Sequence, residues 1–410
     1  MTVNLKKLES CRACHSQHLN KVIDFNHTGI ADDYFKEQGN EGVYPLACLL
    51  CHECGLLQLE YVVDASAIYD NYIYVSTSSP GLDSHFKQYA ESSAQYLSLT
   101  SQSKVLDIGC NDGMLLKHFE ALNCQVFGIE PSVQIAHSLN EYGIQTYNSY
   151  LNSDIVEQIN GEVGKFNLVT SNNVFANVDD ILSFANNVVS LLEEDGVWIV
   201  ETGYHYSLIE NFVFDNIYHE HLSYFSVTTF QHFFDSIGLA LFHVEKIASK
   251  GGSIRVYAGF KNHVRHINHS VNTFIEKEKA FGLFRLETYH EYMQRIHSLK
   301  EEVQQELKQL VAEGKKVVGF GASATVTTVI SVLGIAEYLT YLVDDNPIKH
   351  NTYSPEYRLS VYPTEKLNED PQAIAVILPW RFADMIIEKN SHHLKNGGHF
   401  VKIMPQVEVI

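Results

Sequence analysis

The chain has 410 residues, a formal charge of −20 and 45% hydrophobic residues. This length exceeds one ordinary hydrophobic core and predicts two or three domains, and the composition is that of a folded protein. The acidic balance argues against unaided binding to nucleic-acid phosphates or to anionic membranes. No apolar run is long enough to span a bilayer and the N-terminal residues lack a signal-peptide core, so we expect a cytoplasmic location.

Four of the seven cysteines form two Cys-x-x-Cys pairs near the N-terminus. Two such turns supply the four thiolates that a tetrahedral structural zinc site requires, and a small segment gains folding free energy from the metal. The expected ligands are Cys11, Cys14, Cys51 and Cys54. Unrelated free cysteines and a redox pair are the alternatives. The remaining three, Cys48, Cys110 and Cys124, are expected to be small buried apolar residues.

The second segment predicts the nucleotide-binding half of a doubly wound α/β sheet. A strand leads into a glycine-rich turn and an amphipathic helix, and a second strand then ends at Glu130. The turn reads Asp107-x-Gly109-x-Asn111-x-Gly113, which departs from the G-x-G-x-x-G spacing suited to a pyrophosphate. Glycines let the backbone approach a ligand, and an acid after the second strand binds ribose hydroxyls. A dinucleotide site is the alternative.

Further strands and helices extend this pattern into two α/β domains. Asn172 and Asn173 end a strand, where ligand contacts fall in open α/β sheets. From Lys315 the chain again shows a strand, a glycine turn and a helix, which predicts a second Rossmann-like domain. Its turn from Gly319 to Ser323 is either a phosphate site at a helix N-terminus or a plain tight turn. The predicted domains cover residues 1–75, 76–262 and 263–410.

The tetrapeptide Tyr218-His219-Glu220-His221 places a phenol, two imidazoles and a carboxylate side by side. Most of these groups titrate or exchange protons near neutral pH, so the cluster is a candidate for acid-base chemistry. We expect it to follow the last core strand of the second domain and to face the third domain. If the segment is extended, the two histidines could instead chelate a cation. Polar surface or capping histidines are the remaining alternative.

The whole chain resembles the nucleotide-sugar C-methyltransferases of branched deoxysugar biosynthesis. The resemblance rests on the four cysteines and on the stretches VLDIGCNDG, SNNVFANVDD, YHEHLSYFS, GGSIRVY and GFGASA. It implies S-adenosylmethionine (SAM) as cofactor, since the glycine turn has the form found in class I SAM-dependent methyltransferases, and a structural zinc ion. Members closest to this pattern methylate C3 of a dTDP-linked 4-keto sugar. The implied partner is therefore a nucleotide-diphosphate keto sugar, and we expect a monomer or a weak homo-oligomer.

The resemblance also implies roles for individual residues. A base removes the proton α to the ketone, and the resulting enolate attacks the methyl group of the cofactor. His221 is the implied base, and Tyr218 and Glu220 orient it and bind or polarise the sugar. Tyr72 of the preceding loop, with Tyr74 as its rival, reaches the same pocket. The implied cofactor-binding residues are Asp107, Gly109, Asn111, Gly113, Glu130, Pro131, Asn172 and Asn173.

Two positions depart from the family pattern. Asn177 stands where many relatives have histidine; it can bind a sugar or keto oxygen but cannot act as a base, which places more weight on His221. Lys250 lies in Ser-Lys-Gly-Gly where His-Gly-Gly is common, and is either a contact to an anionic substrate or a solvated loop lysine.

An O- or N-methyltransferase acting on a small molecule or a nucleotide sugar is the alternative enzyme. A non-catalytic binding protein is the other alternative class.

Overall fold

The described residues form three sheets of four or seven strands and one two-stranded ribbon. The structure, a computed structural model, describes residues 4–37, 42–64, 68, 81–263 and 266–410. Tyr72 and its rival Tyr74 lie outside these described residues. Within the described ranges, no helix combines the length and the apolar composition needed to cross a bilayer.

The N-terminal unit is built from short antiparallel strands. These are β1 (Leu5–Lys7), β2 (Leu19–Thr28), β3 (Tyr44–Cys51), β4 (Leu57–Leu59) and β5 (Tyr61–Val63). The ribbon pairs β1 with β5, and the sheet pairs β2 with β3 and β3 with β4. One Cys-x-x-Cys turn precedes β2, and the other begins at the last residue of β3. The extra cysteines Cys48, Cys110 and Cys124 are buried, which confirms their expected apolar role.

The middle unit contains a seven-stranded, mostly parallel sheet. In chain order, this part of the chain forms the strands β6 (Lys104–Ile108), β7 (Gln125–Ile129), β8 (Gln145–Tyr147), β9 (Phe166–Asn172), β10 (Leu192–Gly203), β11 (Ser223–Tyr224), β12 (Leu239–Ile247) and β13 (Ser253–Phe260). All but β11 join the sheet, in the order β12-β13-β10-β9-β6-β7-β8. The first five strands have the 3-2-1-4-5 order of a doubly wound sheet, and β13 is antiparallel to both of its neighbours.

Helices cover this sheet and connect its strands. They are Leu82–Leu97, Met114–Ala121, Val133–Tyr142, Ser153–Glu162, Ile181–Leu191, His205–Glu210 and Val227–Ser236. The expectation that the segment Tyr218–His221 follows the last core strand is wrong, because β12 and β13 come after it and add a hairpin beside β10. The segment instead lies in the connection that leaves β10 at its carboxyl end, where ligands of open α/β sheets bind.

The short strand β11 leaves the middle unit and completes the N-terminal sheet. It pairs antiparallel with β4, with Ser223 opposite Gln58 and Tyr224 opposite Leu57. The sheet order is therefore β11-β4-β3-β2. β11 begins two residues after His221. Its pairing with β4 therefore attaches the N-terminal unit to the segment that carries His221.

The C-terminal unit is a second Rossmann-like sheet, as predicted. Its strands are β14 (Val317–Phe320), β15 (Leu342–Asp344), β16 (Thr352–Tyr353), β17 (Ser360–Pro363), β18 (Ile374–Ile377), β19 (His399–Lys402) and β20 (Glu408–Val409), in the order β16-β17-β15-β14-β18-β19-β20. The helices from this part of the chain are His269–Phe281, Leu286–Ala312, Ala324–Leu333, Ala383–Lys389 and Ser391–Lys395. The domain boundaries placed at residues 75 and 262 stay predictions.

Candidate active site

The four predicted metal ligands come together in the N-terminal unit. The Sγ atoms of Cys11, Cys14, Cys51 and Cys54 all lie within 4.8 Å of one another. The Cys11–Cys54 and Cys14–Cys51 sulfurs are 3.5 Å apart and form no disulfide. Four thiolates bound to one tetrahedral zinc ion, with Zn–S bonds of about 2.3 Å, have separations of this size. The donor set therefore fits zinc, and both alternatives, unrelated cysteines and a redox pair, are disfavoured.

The glycine turn after β6 needs its glycines for two separate reasons. Gly109 and Gly113 both have a φ of 69°, in the left-handed region that disfavours side chains. In addition, a Cβ atom on Gly109 would lie 2.5 Å from Val174 Cγ2, and one on Gly113 would lie 2.6 Å from Leu139 Cδ2. A larger residue at either position would strain the backbone and displace a neighbouring side chain, so this turn at the carboxyl end of the sheet is suited to glycine.

Two carboxyl groups lie at this turn. Glu130 accepts hydrogen bonds from the backbone N–H groups of Asn111 at 2.9 Å and Ser132 at 2.8 Å, so it links the turn to the end of β7. Asp107 is buried beneath the turn, where burial raises its pKa to about 7 against the hydrogen bonds donated by Thr170 and Asn172. Pro131 follows Glu130 on the same loop.

The buried oxygen Oδ1 of Asn172 has no partner among the described residues, although the amide nitrogen of this side chain donates to Asp107 at 3.2 Å. An unpaired buried acceptor beside a carboxylate suits a ligand with N–H or cationic groups. Together with Glu130, whose remaining lone pairs can accept from ribose hydroxyls, the site fits the expected cofactor. The predicted cofactor residues thus lie at one edge of the sheet.

A cavity that is open to solvent adjoins this edge. Its walls come from the ends of β9 and β10, from the segment before β11 and from the loop between β12 and β13. The lining includes Asn173, Asn177, Tyr204, Asn216, His221 and Lys250. Because Asn172 contacts Asp107 while the next residue, Asn173, lines the cavity, the cofactor site and the cavity are neighbours.

The hydrogen bonds of His221 fix its tautomer. Its Nδ1 lies 2.9 Å from the backbone oxygen of Asn216, which can only accept, so Nδ1 carries the proton. Its Nε2 is then the unprotonated nitrogen of the ring, and it accepts a hydrogen bond from the Tyr218 hydroxyl at 3.0 Å. Burial lowers the pKa of His221 to about 4, with the Asn216 hydrogen bond opposing and the nearby Lys250 adding to the effect. The ring is therefore neutral near pH 7 and available as a proton acceptor.

His219 has a different environment from His221. It is 1% exposed and packs edge-on against the ring of Tyr44, with the centroids 6.1 Å apart. The His221 ring instead packs on Tyr218, at 4.1 Å. The two histidines lie in a turn and face separate surroundings, so a shared cation and a pair of surface histidines both fail as interpretations.

The other polar residues predicted for the site also meet there. Asn177 donates from Nδ2 to Glu220 Oε1 at 2.9 Å, and its buried Oδ1 has no partner within the described parts of the chain. Lys250 is exposed, as a loop lysine would be, but its exposed side chain lines the cavity. Loss of water contact around its ammonium group at the cavity wall lowers the Lys250 pKa, while the charges of Glu220 and Glu201 raise it.

Several residues that hold the site together are absent from the sequence prediction. Asp215, which directly precedes Asn216, is fully buried and accepts from Arg381 at 2.8 Å and from Trp380 at 3.2 Å. Thr328, also from the C-terminal unit, donates to the backbone oxygen of Ile217 at 3.1 Å. No local signal marks these pairs, since more than a hundred residues separate the partners in the chain.

Comparisons with known proteins agree with this three-part architecture. Family models match residues 11–69 as a zinc binding domain, 82–244 as a methyltransferase domain and 248–405 as a C-methyltransferase C-terminal domain. C-methyltransferase NovU of Streptomyces niveus is 27% identical over 410 residues, which are 99% of this chain and 98% of that protein.

Two further similarities each cover only part of the chain. Ubiquinone biosynthesis O-methyltransferase of Rhodopseudomonas palustris (strain HaA2) is 33% identical over 116 residues, 27% of this chain and 44% of that enzyme. The crystal structure of a S-adenosylmethionine-dependent methyltransferase from Clostridium acetobutylicum covers 48% of this chain and 95% of its own, with 13% identity and a TM-score of 0.35.

The fold and the site define a SAM-dependent methyltransferase with a zinc-binding module. Within that class, the chain is a C-methyltransferase, because its C-terminal part and its chain-long relative both carry that activity in their descriptions. The predicted activity, SAM and zinc are confirmed. The relative matched along the whole chain favours a C-methyltransferase over the O- or N-methyltransferase and the non-catalytic binding protein.

Replacing Gly109 with alanine should weaken SAM binding by about tenfold or more, because the added Cβ forces the turn away from Val174. The matched control is Gly143→Ala: Gly143 also has a positive φ, 111°, but a Cβ there meets nothing within 4 Å. Titration calorimetry with SAM compares the two variants. Equal affinities in both would contradict the assigned role of the turn.

Proposed function

We propose that the enzyme methylates a carbon next to the ketone of a nucleotide-linked 4-keto deoxysugar, with C3 as the acceptor carbon. The observation that carries this proposal is His221, a neutral imidazole with a defined tautomer on the wall of a cavity beside the cofactor turn. Carbon methylation needs an unprotonated base, since a carbon nucleophile must first lose a proton, and the His221 ring is neutral near pH 7.

The residues support the following sequence of bond changes. Once the Tyr218 hydroxyl turns its hydrogen away, His221 Nε2 accepts the proton from the carbon α to the ketone, and the electrons of the broken C–H bond form an enolate. That carbon then forms the new C–C bond with the methyl group, while the bond between the methyl group and the cofactor sulfur breaks and the sulfur keeps its electron pair. When bound, SAM supplies this methyl group in electrophilic form. Tyr218 stays within hydrogen-bond distance of Nε2, so its oxygen can accept from the imidazolium once the ring is charged.

Lys250 is suited to the enolate oxygen. It is the one lysine or arginine among the described residues that line the cavity, and a fixed positive charge stabilises negative charge that develops in a low-dielectric site. Glu220 is close enough to raise the Lys250 pKa and is itself bound by Asn177. Glu220 therefore opposes the effect of desolvation, which lowers the Lys250 pKa, and helps to keep the ammonium group charged.

The C-terminal unit supports binding of the nucleotide. Its Asp344, at the end of β15, accepts from the backbone N–H groups of Ala322 at 2.6 Å and Asn346 at 2.7 Å. Glu130 makes the equivalent pair of contacts at the cofactor turn. The helix Ala324–Leu333 that follows this turn carries Thr328, the residue bound to the Ile217 carbonyl beside the cavity. A ribose at Asp344 and a diphosphate at the helix N-terminus would approach the cavity from this side.

The test is a panel of dTDP-linked sugars incubated with the purified enzyme and SAM, with products read by mass and by carbon NMR. A 4-keto-6-deoxy sugar should gain one methyl group on C3, and in D₂O without SAM it should exchange its C3 hydrogen. The control is the same sugar with the ketone reduced to a hydroxyl, which should do neither. Methylation on oxygen or nitrogen, or no reaction with any 4-keto sugar, would contradict the proposal.

A further inference from the structure

Arg12 connects the metal cluster with the segment that carries His221. It lies between the ligands Cys11 and Cys14, yet its side chain points away from the cluster and is 3% exposed. Its Nη1 donates to the backbone oxygen of Leu222, the residue after His221, at 3.0 Å. Its Nε donates to Asp179 Oδ1 at 3.2 Å.

Each acceptor lies close in the chain to a residue that lines the cavity, His221 in one case and Asn177 in the other. Leu222 continues the catalytic segment, and Asp179 follows two residues after Asn177. A planar guanidinium can bind both at once, because its donors are fixed in a fork, whereas a lysine offers a single point of charge. Burial lowers the Arg12 pKa, and the carboxylate of Asp179 opposes this effect by stabilising the cation.

The backbone around Arg12 is held to the same strands. The Arg12 N–H donates to the side chain of Gln58 at 2.8 Å, and Gln58, which is fully buried, donates to the Ser10 oxygen at 3.1 Å. Gln58 lies on β4, opposite Ser223 of β11. The Leu222 oxygen also accepts from Leu59 N–H at 3.0 Å. The first metal-binding turn, β4 and the start of β11 therefore form one hydrogen-bonded unit.

We propose that Arg12 is a positioning residue, which holds the backbone beside His221 at the orientation set by the Cys11–Cys14 turn. The metal cluster then has a second consequence besides folding its own unit, since it fixes the base on the cavity wall. This proposal rests on the proposed function only in taking His221 as the base.

The test compares Arg12→Met with Lys6→Met. Methionine keeps the length of the side chain but removes its hydrogen bonds. Lys6 is the matched control, because it binds the other oxygen of the same Asp179 at 2.9 Å from an exposed position and does not reach Leu222. The readouts are zinc content, SAM affinity by calorimetry, kcat and KM, and the ¹⁵N signals of the His221 ring, assigned with the His221→Asn variant.

We expect Arg12→Met to keep its zinc and its SAM affinity, and to lose kcat by roughly 10²-fold, the usual size of a misplaced catalytic group. The His221 ring signals should shift from one fixed tautomer towards a mixture. Removing zinc from the wild-type enzyme should shift the same signals. Lys6→Met should leave all four readouts at wild-type values.

Unchanged His221 signals in zinc-replete Arg12→Met would overturn the proposal, as would loss of zinc from this variant without any change in the ring. If Arg12→Met fails to fold, Asp179→Ala decides, since it removes one acceptor from outside the metal-binding turn and should shift the ring signals in the same direction. The ring signals need no substrate. If no sugar in the panel is methylated, only the proposed function is contradicted. If the His221 ring signals do not change, only the positioning role of Arg12 is contradicted.

Discussion

Replacing His221 with asparagine is expected to reduce methyl transfer by about 10²- to 10⁴-fold, the range typical of a lost general base. Asparagine can keep a hydrogen bond to the Asn216 carbonyl but has no group that takes up a proton. SAM affinity should stay nearly unchanged, because the cofactor turn and Glu130 lie on other strands. Steady-state kinetics and calorimetry measure the two quantities.

The control for this substitution is His137→Asn, which makes the same chemical change at a histidine that is 71% exposed on the helix Val133–Tyr142. It should retain full activity. Near-wild-type turnover of His221→Asn would remove His221 as the base. A parallel loss of SAM affinity would show that the substitution disturbs the cofactor site and not proton transfer.

Removing zinc is expected to unfold the N-terminal unit while the middle sheet continues to bind SAM. Structural zinc contributes about 10–16 kcal/mol in zinc-finger peptides, far more than short strands such as β1, β4 and β5 can replace by packing. Hydrogen exchange read by mass should therefore rise sharply over residues 11–59 after chelation and little over residues 104–130. Methyl transfer should fall with the loss of the β4–β11 pairing.

The variant that mimics chelation is Cys51→Ser, and its control is Cys124→Ala, a buried cysteine outside the cluster. The control should keep both zinc and the exchange pattern of the wild type. Persistent protection of residues 11–59 in the metal-free protein would show that zinc does not fold this unit.

The features that sequence predicted correctly depend on short stretches of chain. Cys-x-x-Cys spacing brings two sulfurs to one turn, and the alternation of strand, glycine turn, helix, strand and acid places Glu130 at Asn111 without help from distant residues. Such patterns act within about thirty residues, the span of one βαβ unit. They were sufficient for the fold class and the glycine turn, and the second Cys-x-x-Cys pair, 37 positions further along, indicated the metal cluster.

The position of the proposed base depended on partners that no local pattern reveals. The sequence by itself determined that His221 follows a tyrosine and a glutamate in a chain with a glycine-rich turn after its first core strand. Only the tertiary structure decided its tautomer, through Asn216, and the order in which β12 and β13 extend the sheet past it. It also decided that Arg12 on one side and Arg381 on the other hold the segment.

The physical reason is the difference between short-range and long-range contacts. A turn or a metal-binding pair is fixed by backbone geometry and spacing, which the order of residues encodes directly. A two-residue strand such as β11, or a buried arginine that binds a carbonyl 210 positions away, has no periodicity of its own and is favoured only once the units pack together. The local sequence therefore supplied the chemical groups of this enzyme, and the packing of its three units decided where they meet.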